Sequence, residues 1–174
     1  MRTVLTIFIH GLYSRVRFLH EYRDDVTEHF PEVELSKLKS AVEAVEDDVF
    51  LETESSQIRL DEEMASHLDS YAPEGKTEHR LWDESKHSVD LYNPGEKIAV
   101  EIEKTEQKNI WKNLIKFSRG NEVGIDYGCV VVPENYSTSR RERNLFTHAQ
   151  RALNFTSPLI PIHDIAVIGY HDPR

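Results

Sequence analysis

Apolar and polar positions alternate most cleanly in the second half of the chain. Residues 97–103 (KIAVEIE) put Ile98, Val100 and Ile102 on one side of an extended strand and Ala99, Glu101 and Glu103 on the other. Residues 88–92 (SVDLY) alternate in the same way, and Asn93-Pro94-Gly95 between the two runs is a turn signal, so the pattern predicts a β-hairpin. A helix is predicted over 108–118, with Ile110, Leu114 and Phe117 as its apolar stripe, Lys108, Lys112 and Lys116 along another line, and Gly120 as its cap. Residues 126–132 (DYGCVVV) and 162–170 (IHDIAVIGY) are apolar runs of the kind buried on both faces of a sheet, with a helix over 143–153 between them. Strand, helix, strand, helix, strand implies an α/β protein with a mixed β-sheet flanked by helices.

The first half is less regular. Residues 3–9 (TVLTIFI) read as a buried strand, and 14–30 as an amphipathic helix ended by Pro31. Leu35, Leu38, Val42 and Val45 mark a second helix that closes in Glu46-Asp47-Asp48, and 60–71 a third, ended by Ala72-Pro73-Glu74-Gly75. Residues 51–56 are polar and carry no pattern. With no internal repeat and no linker, the 174 residues predict a single domain, 1–174.

Composition narrows the setting. Hydrophobic residues make up 39% of the chain and charged residues 30%, the balance of a folded soluble protein. The single cysteine, Cys129, excludes an internal disulfide and a Cys-rich zinc cluster, which points to a reducing cytoplasm. No apolar run is long enough for a membrane span, and the start of the chain lacks a signal-peptide pattern, so no membrane partner is expected. The net charge of −10 is unevenly spread: residues 1–103 carry 11 Lys and Arg against 24 Asp and Glu, and residues 104–174 carry 10 against 7. A basic working face on an acidic body permits a polyanionic partner.

The candidate chemistry lies in Asp90, Glu101 and Glu103. The two glutamates are two apart on one strand and share a face, and Asp90 on the preceding strand of the hairpin is placed to meet Glu101 across the ladder. Unneutralised, such neighbours repel by a few kcal/mol at an effective dielectric near 20, roughly. A hard divalent cation such as Mg²⁺, with Mn²⁺ as substitute, relieves the repulsion, and the basic helix that follows suits a phosphodiester. The spacing alone equally fits a strand face whose carboxylates are merely solvated. Residues 135–143 (NYSTSRRER) gather three arginines with several hydroxyls, groups that bind phosphate and guanine. Ile9-His10-Gly11-Leu12 has the look of a hydrolase oxyanion element, but the chain lacks a G-x-S-x-G elbow.

Val89-Asp90 followed by Glu101-Ile102-Glu103, with the apolar approach Ile98-Ala99-Val100, resembles the D…ExK/E motif of the PD-(D/E)XK nucleases, and within them the BamHI- and BglII-like type II restriction endonucleases. The motif's usual lysine is replaced by Glu103, and its usual proline by Val89. The likeness continues in residues 144–170 and spans about 57–174, as a PD-(D/E)XK core behind an N-terminal extension, 1–56, of unclear role. The resemblance implies a restriction-endonuclease-like fold and Mg²⁺-dependent hydrolysis of double-stranded DNA to 5′-phosphate and 3′-hydroxyl ends. Asp90 and Glu101 would then bind the metal together with the Ile102 carbonyl, Glu103 would act as or orient the base, and Glu78 or Glu84 would be a further acidic residue. It places Gln107, Lys108, Asn109 and Lys112, at the start of the helix after the catalytic strand, and Ser137, Ser139, Arg140, Arg141 and Arg143 against DNA. It further implies a homodimer on a palindrome with a GATC core and a cognate methyltransferase as genetic partner. A repair or structure-selective nuclease, or a catalytically inactive DNA-binding module, is the alternative.

Overall fold

The computed structural model describes residues 16–19, 28–51, 56–71, 78–82, 87–104, 106–138 and 141–171, with 16–19, 50–51, 56–58, 136–138 and 141–143 described through their backbone alone. One mixed sheet of five strands organises them: β1 (Val16–Leu19), β2 (Leu91–Asn93), β3 (Ile98–Ile102), β4 (Tyr127–Pro133) and β7 (Asp164–Tyr170), in the spatial order β1-β7-β4-β3-β2. The three central strands run parallel and the two outer strands antiparallel to their neighbours. A separate two-stranded hairpin, β5 (Tyr136–Thr138) and β6 (Arg141–Arg143), follows β4.

Both faces of the sheet are covered, as the near-continuous apolar runs of β4 and β7 require. Leu91, Ile98, Val100, Ile102, Cys129, Val131, Ala166 and Ile168 pack beneath α1 (Glu32–Ala44) and α3 (Ser56–Ser66), with the short α2 (Asp47–Leu51) between these helices. The alternate positions Ala99, Val130, Val132, Ile165 and Val167 pack beneath α4 (Gln107–Ser118) and α5 (Leu145–Thr156). The period-2 alternation of β3 therefore assigns Ala99 and Glu101 to the α4–α5 side, opposite Val100 and Ile102.

Two buried acids lock the α1 layer to the sheet. Asp164, fully buried, accepts from the Phe30 N–H at 3.0 Å and so fixes the approach to α1 against the start of β7. Glu34, buried on α1, accepts from the Tyr71 hydroxyl at 2.9 Å and from Asn93 at the end of β2 at 3.5 Å. The hairpin turn is held by Asn93 Oδ1, which accepts from the Gly95 N–H at 3.0 Å and the Glu96 N–H at 3.2 Å.

The predicted α/β architecture, the β2–β3 hairpin, α4, β4, α5 and β7 all appear, with shifted ends. Four expectations are corrected. The helix over 14–30 gives way at Val16–Leu19 to a strand, because those residues pair with β7 and complete the sheet's edge. Residues 47–51, read as the close of a helix and a patternless stretch, form α2. Gly120 is not the cap of α4, a role that falls to Arg119; a Cβ at Gly120 would stand 2.8 Å from Ile162 Cγ2, so the glycine serves a close approach. Within the predicted loop, Tyr136–Thr138 and Arg141–Arg143 pair as two antiparallel strands. The predicted strand over 3–9 lies outside the described residues.

The central strand has no spare room at Gly128, where an added Cβ would lie 2.8 Å from two ring atoms of Phe117 on α4. Gly128→Ala is therefore expected to destabilise the protein by about 1–3 kcal/mol, read from chemical denaturation, with little change in secondary structure.

Candidate active site

The carboxylates gather at one end of the sheet because of how β2 and β3 pair. The ladder ends at Leu91 opposite Val100, and just beyond it the Asp90 carboxylate comes close enough to Glu101 to raise its proton affinity. Asp90 is half-buried and accepts from the Ile102 N–H at 2.6 Å, so the strand's own backbone holds it in place. Glu101 is 2% exposed and Glu103 8%. This is the end at which the parallel strands β3 and β4 finish, the usual position of a ligand crevice in an open α/β sheet.

Helix α4 supplies the counter-charge. Lys116 Nζ lies 2.7 Å from Glu101 Oε1 and 2.9 Å from Oε2, so one ammonium spans both oxygens. With its amide turned so that the nitrogen faces these acceptors, Asn113, one turn earlier, donates to Glu101 Oε2 at 3.1 Å and to the Asn109 carbonyl at 3.2 Å. Residues 109, 113 and 116 fall on one line of the helix, and that line faces the buried glutamate. Glu103 turns the other way along the chain and accepts from the Glu106 N–H at 3.0 Å, at the first turn of α4.

The electrostatics record the crowding. Burial raises the Glu101 carboxyl to about 8, with the neighbouring Asp90 charge adding to the rise and Lys116 opposing it. Burial likewise raises Asp90 to about 6, opposed by the Ile102 hydrogen bond and Lys116, and reinforced by Glu103 and Glu78. The part of each rise that comes from neighbouring carboxylate charge is the part a bound cation would relieve.

Whether a divalent metal fits turns on these donors. Among the described residues no group of three or more His, Cys, Asp or Glu is arranged to hold a metal ion. The two carboxylates are hard oxygen donors, and Mg²⁺ is commonly held by one or two carboxylates with waters and substrate phosphate completing its shell. The donor chemistry fits, with the Lys116 ammonium as the group a cation would have to share Glu101 with or displace.

The other predicted positions fall as follows. Glu78 is exposed with a positive φ of 63°, its N–H donating to the Asp90 carbonyl at 3.0 Å, so it stands at the rim of the cluster. Glu84, Ser139 and Arg140 lie outside the described residues. Gln107, Lys108 and Lys112 are exposed and Asn109 half-buried on the first half of α4, with Lys108 paired to Glu106 at 2.7 Å. Ser137, Arg141 and Arg143 are placed by backbone on the β5–β6 hairpin, which leaves the sheet directly after β4, at the carboxylate end. Sequence reasoning missed Lys116 and Asn113 as members of the site. The available signal was Asn113, a polar residue between the apolar stripe positions Ile110 and Leu114.

An α/β sheet with buried carboxylates at the ends of its parallel strands is compatible with a restriction-endonuclease-like core. Residues 10–170 match the family described as "Putative halobacteria restriction endonuclease", and the chain belongs to that family. The membership makes it a nuclease of the restriction endonuclease class, with DNA as the class of molecule it binds. No curated protein and no solved structure matches the chain. Among the described residues no helix is long and apolar enough to cross a membrane.

A carboxyl whose proton affinity rises on folding binds more protons in the folded than in the unfolded state, so stability falls as pH rises between its two values. For Glu101 that window runs from 4.5 to about 8. The metal-free protein is expected to melt at lower temperature at pH 8 than at pH 5, and Glu101→Gln to flatten that decline in a thermal melt.

Proposed function

We propose that this protein is a Mg²⁺-dependent endonuclease that cuts double-stranded DNA at a specific site, with a PD-(D/E)XK centre of the BamHI- and BglII-like kind. The observation that carries the reading is the Asp90 carboxylate close to the buried Glu101 at the end of the β2–β3 ladder, in a chain of a restriction endonuclease family. Asp90 and Glu101 would hold the metal, Mg²⁺ or Mn²⁺, with the Ile102 carbonyl as a further donor. When bound, the ion supplies charge neutralisation at the scissile phosphate and lowers the pKa of water. The water oxygen bonds to phosphorus as the P–O3′ bond breaks, and the water's proton passes to a carboxylate, for which Glu103 is the assigned group. The departing 3′ oxygen takes a proton from solvent, leaving 5′-phosphate and 3′-hydroxyl ends.

Specificity is assigned to two elements at the carboxylate end. The first is the start of α4, with Gln107, Lys108, Asn109 and Lys112 (amides suited to adenine edges, ammonium groups to guanine or phosphate). The second is the β5–β6 hairpin, with Ser137, Arg141 and Arg143, together with Ser139 and Arg140 between them in sequence. A palindromic site, with GATC as the proposed core, calls for a homodimer. Support for a second copy comes from α4 and α5, where the exposed side chains Ile115 (62%) and Phe155 (74%) flank Trp111, whose ring lies 6.1 Å from that of Phe155. A cognate methyltransferase protecting the same sequence and a cytoplasmic location complete the proposal.

Unmethylated phage DNA incubated with the protein and Mg²⁺ is expected to give discrete bands, and Asp90→Ala to give none. Uncut DNA with both Mg²⁺ and Mn²⁺ would overturn the nuclease reading and favour a DNA-binding module. Sedimentation is expected to give a dimer mass that Phe155→Asp shifts toward the monomer.

A further inference from the structure

We infer that Lys116, delivered from helix α4, is the catalytic cation of this site: it neutralises Glu101 in the metal-free protein and takes the scissile phosphate once metal and DNA are bound. The inference rests on the nuclease reading above and names a residue that the sequence motif does not. Three observations carry it. Lys116 Nζ touches both oxygens of Glu101, at 2.7 and 2.9 Å, the position a metal ligand would otherwise offer to solvent. Its side chain is 19% exposed while that of Glu101 is 3% exposed, so of the pair it is the lysine that reaches solvent. The strand position two after Glu101, where this kind of centre usually places a lysine, is Glu103, so the motif itself brings no positive charge to this face of the strand.

The neighbouring lysines of α4 are placed differently. Lys108 is 69% exposed and paired with Glu106, and Lys112 is exposed one turn before Lys116. Asn113 makes the shift of Lys116 feasible. Its amide holds Glu101 Oε2 at 3.1 Å from the same helix, so Glu101 keeps a hydrogen-bond donor when the ammonium moves. A lysine stem has four rotatable carbons and a compact charge, which suits a group that trades one anionic oxygen for another.

Lys116→Met keeps the apolar stem and removes the charge. Mn²⁺ affinity, measured by electron paramagnetic resonance without DNA, is expected to rise about fivefold because a competing cation has gone. Single-turnover cleavage at saturating metal is expected to fall by about 100-fold or more, the scale of losing one transition-state donor. DNA affinity measured with Ca²⁺ should change by less than about threefold, as for one phosphate contact among many. Cleavage by Lys116→Met at the wild-type rate would overturn the inference. So would Mn²⁺ affinity that falls with the rate, since Lys116 would then only support the metal ligands. Should Lys116→Met fail to fold, Lys116→Arg decides: it keeps a charge on Glu101 but moves it onto a planar fork. A rate at least about tenfold below wild type supports the assignment, and a wild-type rate refutes it. A wild-type protein that cuts no DNA with either metal removes the nuclease reading itself, an outcome distinct from cutting that ignores Lys116.

Discussion

Glu101 is placed on an inner strand of a sheet covered on both faces, with its carboxylate nearly sealed from water and a second carboxylate, Asp90, set against it by strand pairing. Taking such a group out of water costs several kcal/mol, roughly, unless other groups return what water supplied. The structure supplies three such contacts to the pair, two of them to Glu101. The backbone N–H of Ile102 holds Asp90, the Lys116 ammonium spans both Glu101 oxygens, and the Asn113 amide takes one of them as well. Two of these three come from α4, so the position of that helix on the sheet is tied to the carboxylates as well as to its apolar stripe of Ile110, Leu114 and Phe117.

The same constraint locates the working end of the molecule. Burial and neighbouring carboxylate charge raise the proton affinity of both Asp90 and Glu101, and Lys116 opposes the rise. The parallel strands finish here, the β5–β6 hairpin departs from here, and α4 begins beside Glu103. The buried carboxylates therefore lie among elements that carry Lys108, Lys112, Arg141 and Arg143, which reconciles a net charge of −10 with a polyanionic partner. A strand face of merely solvated carboxylates is a poorer description, because Glu101 and Glu103 are buried.

Much of this was legible in the chain. Strict alternation fixed which residues of β3 face α4, and the Asn-Pro-Gly turn fixed the register that joins Asp90 to Glu101. The apolar runs of β4 and β7 announced strands buried on both sides. What stayed hidden depends on distant partners. Val16–Leu19 is a strand because β7 offers an edge, which no local pattern records. Gly120 looks like a helix cap until Ile162 is brought to 2.8 Å from where its Cβ would be. Lys116 reads as one of three evenly spaced lysines on a polar face, and only the packing of α4 on β3 separates it from Lys108 and Lys112. Asn113 was the residual clue, since a buried amide inside an apolar stripe needs a partner.

The central claim is that Asp90 and Glu101 together form the cation seat on which cleavage depends. Crystals soaked in Mn²⁺ and measured for anomalous scattering test it most directly. The account predicts a peak about 2.1 Å from a carboxylate oxygen of each residue, and none in Asp90→Asn crystals. A peak elsewhere in the molecule, or none at millimolar Mn²⁺, would contradict it.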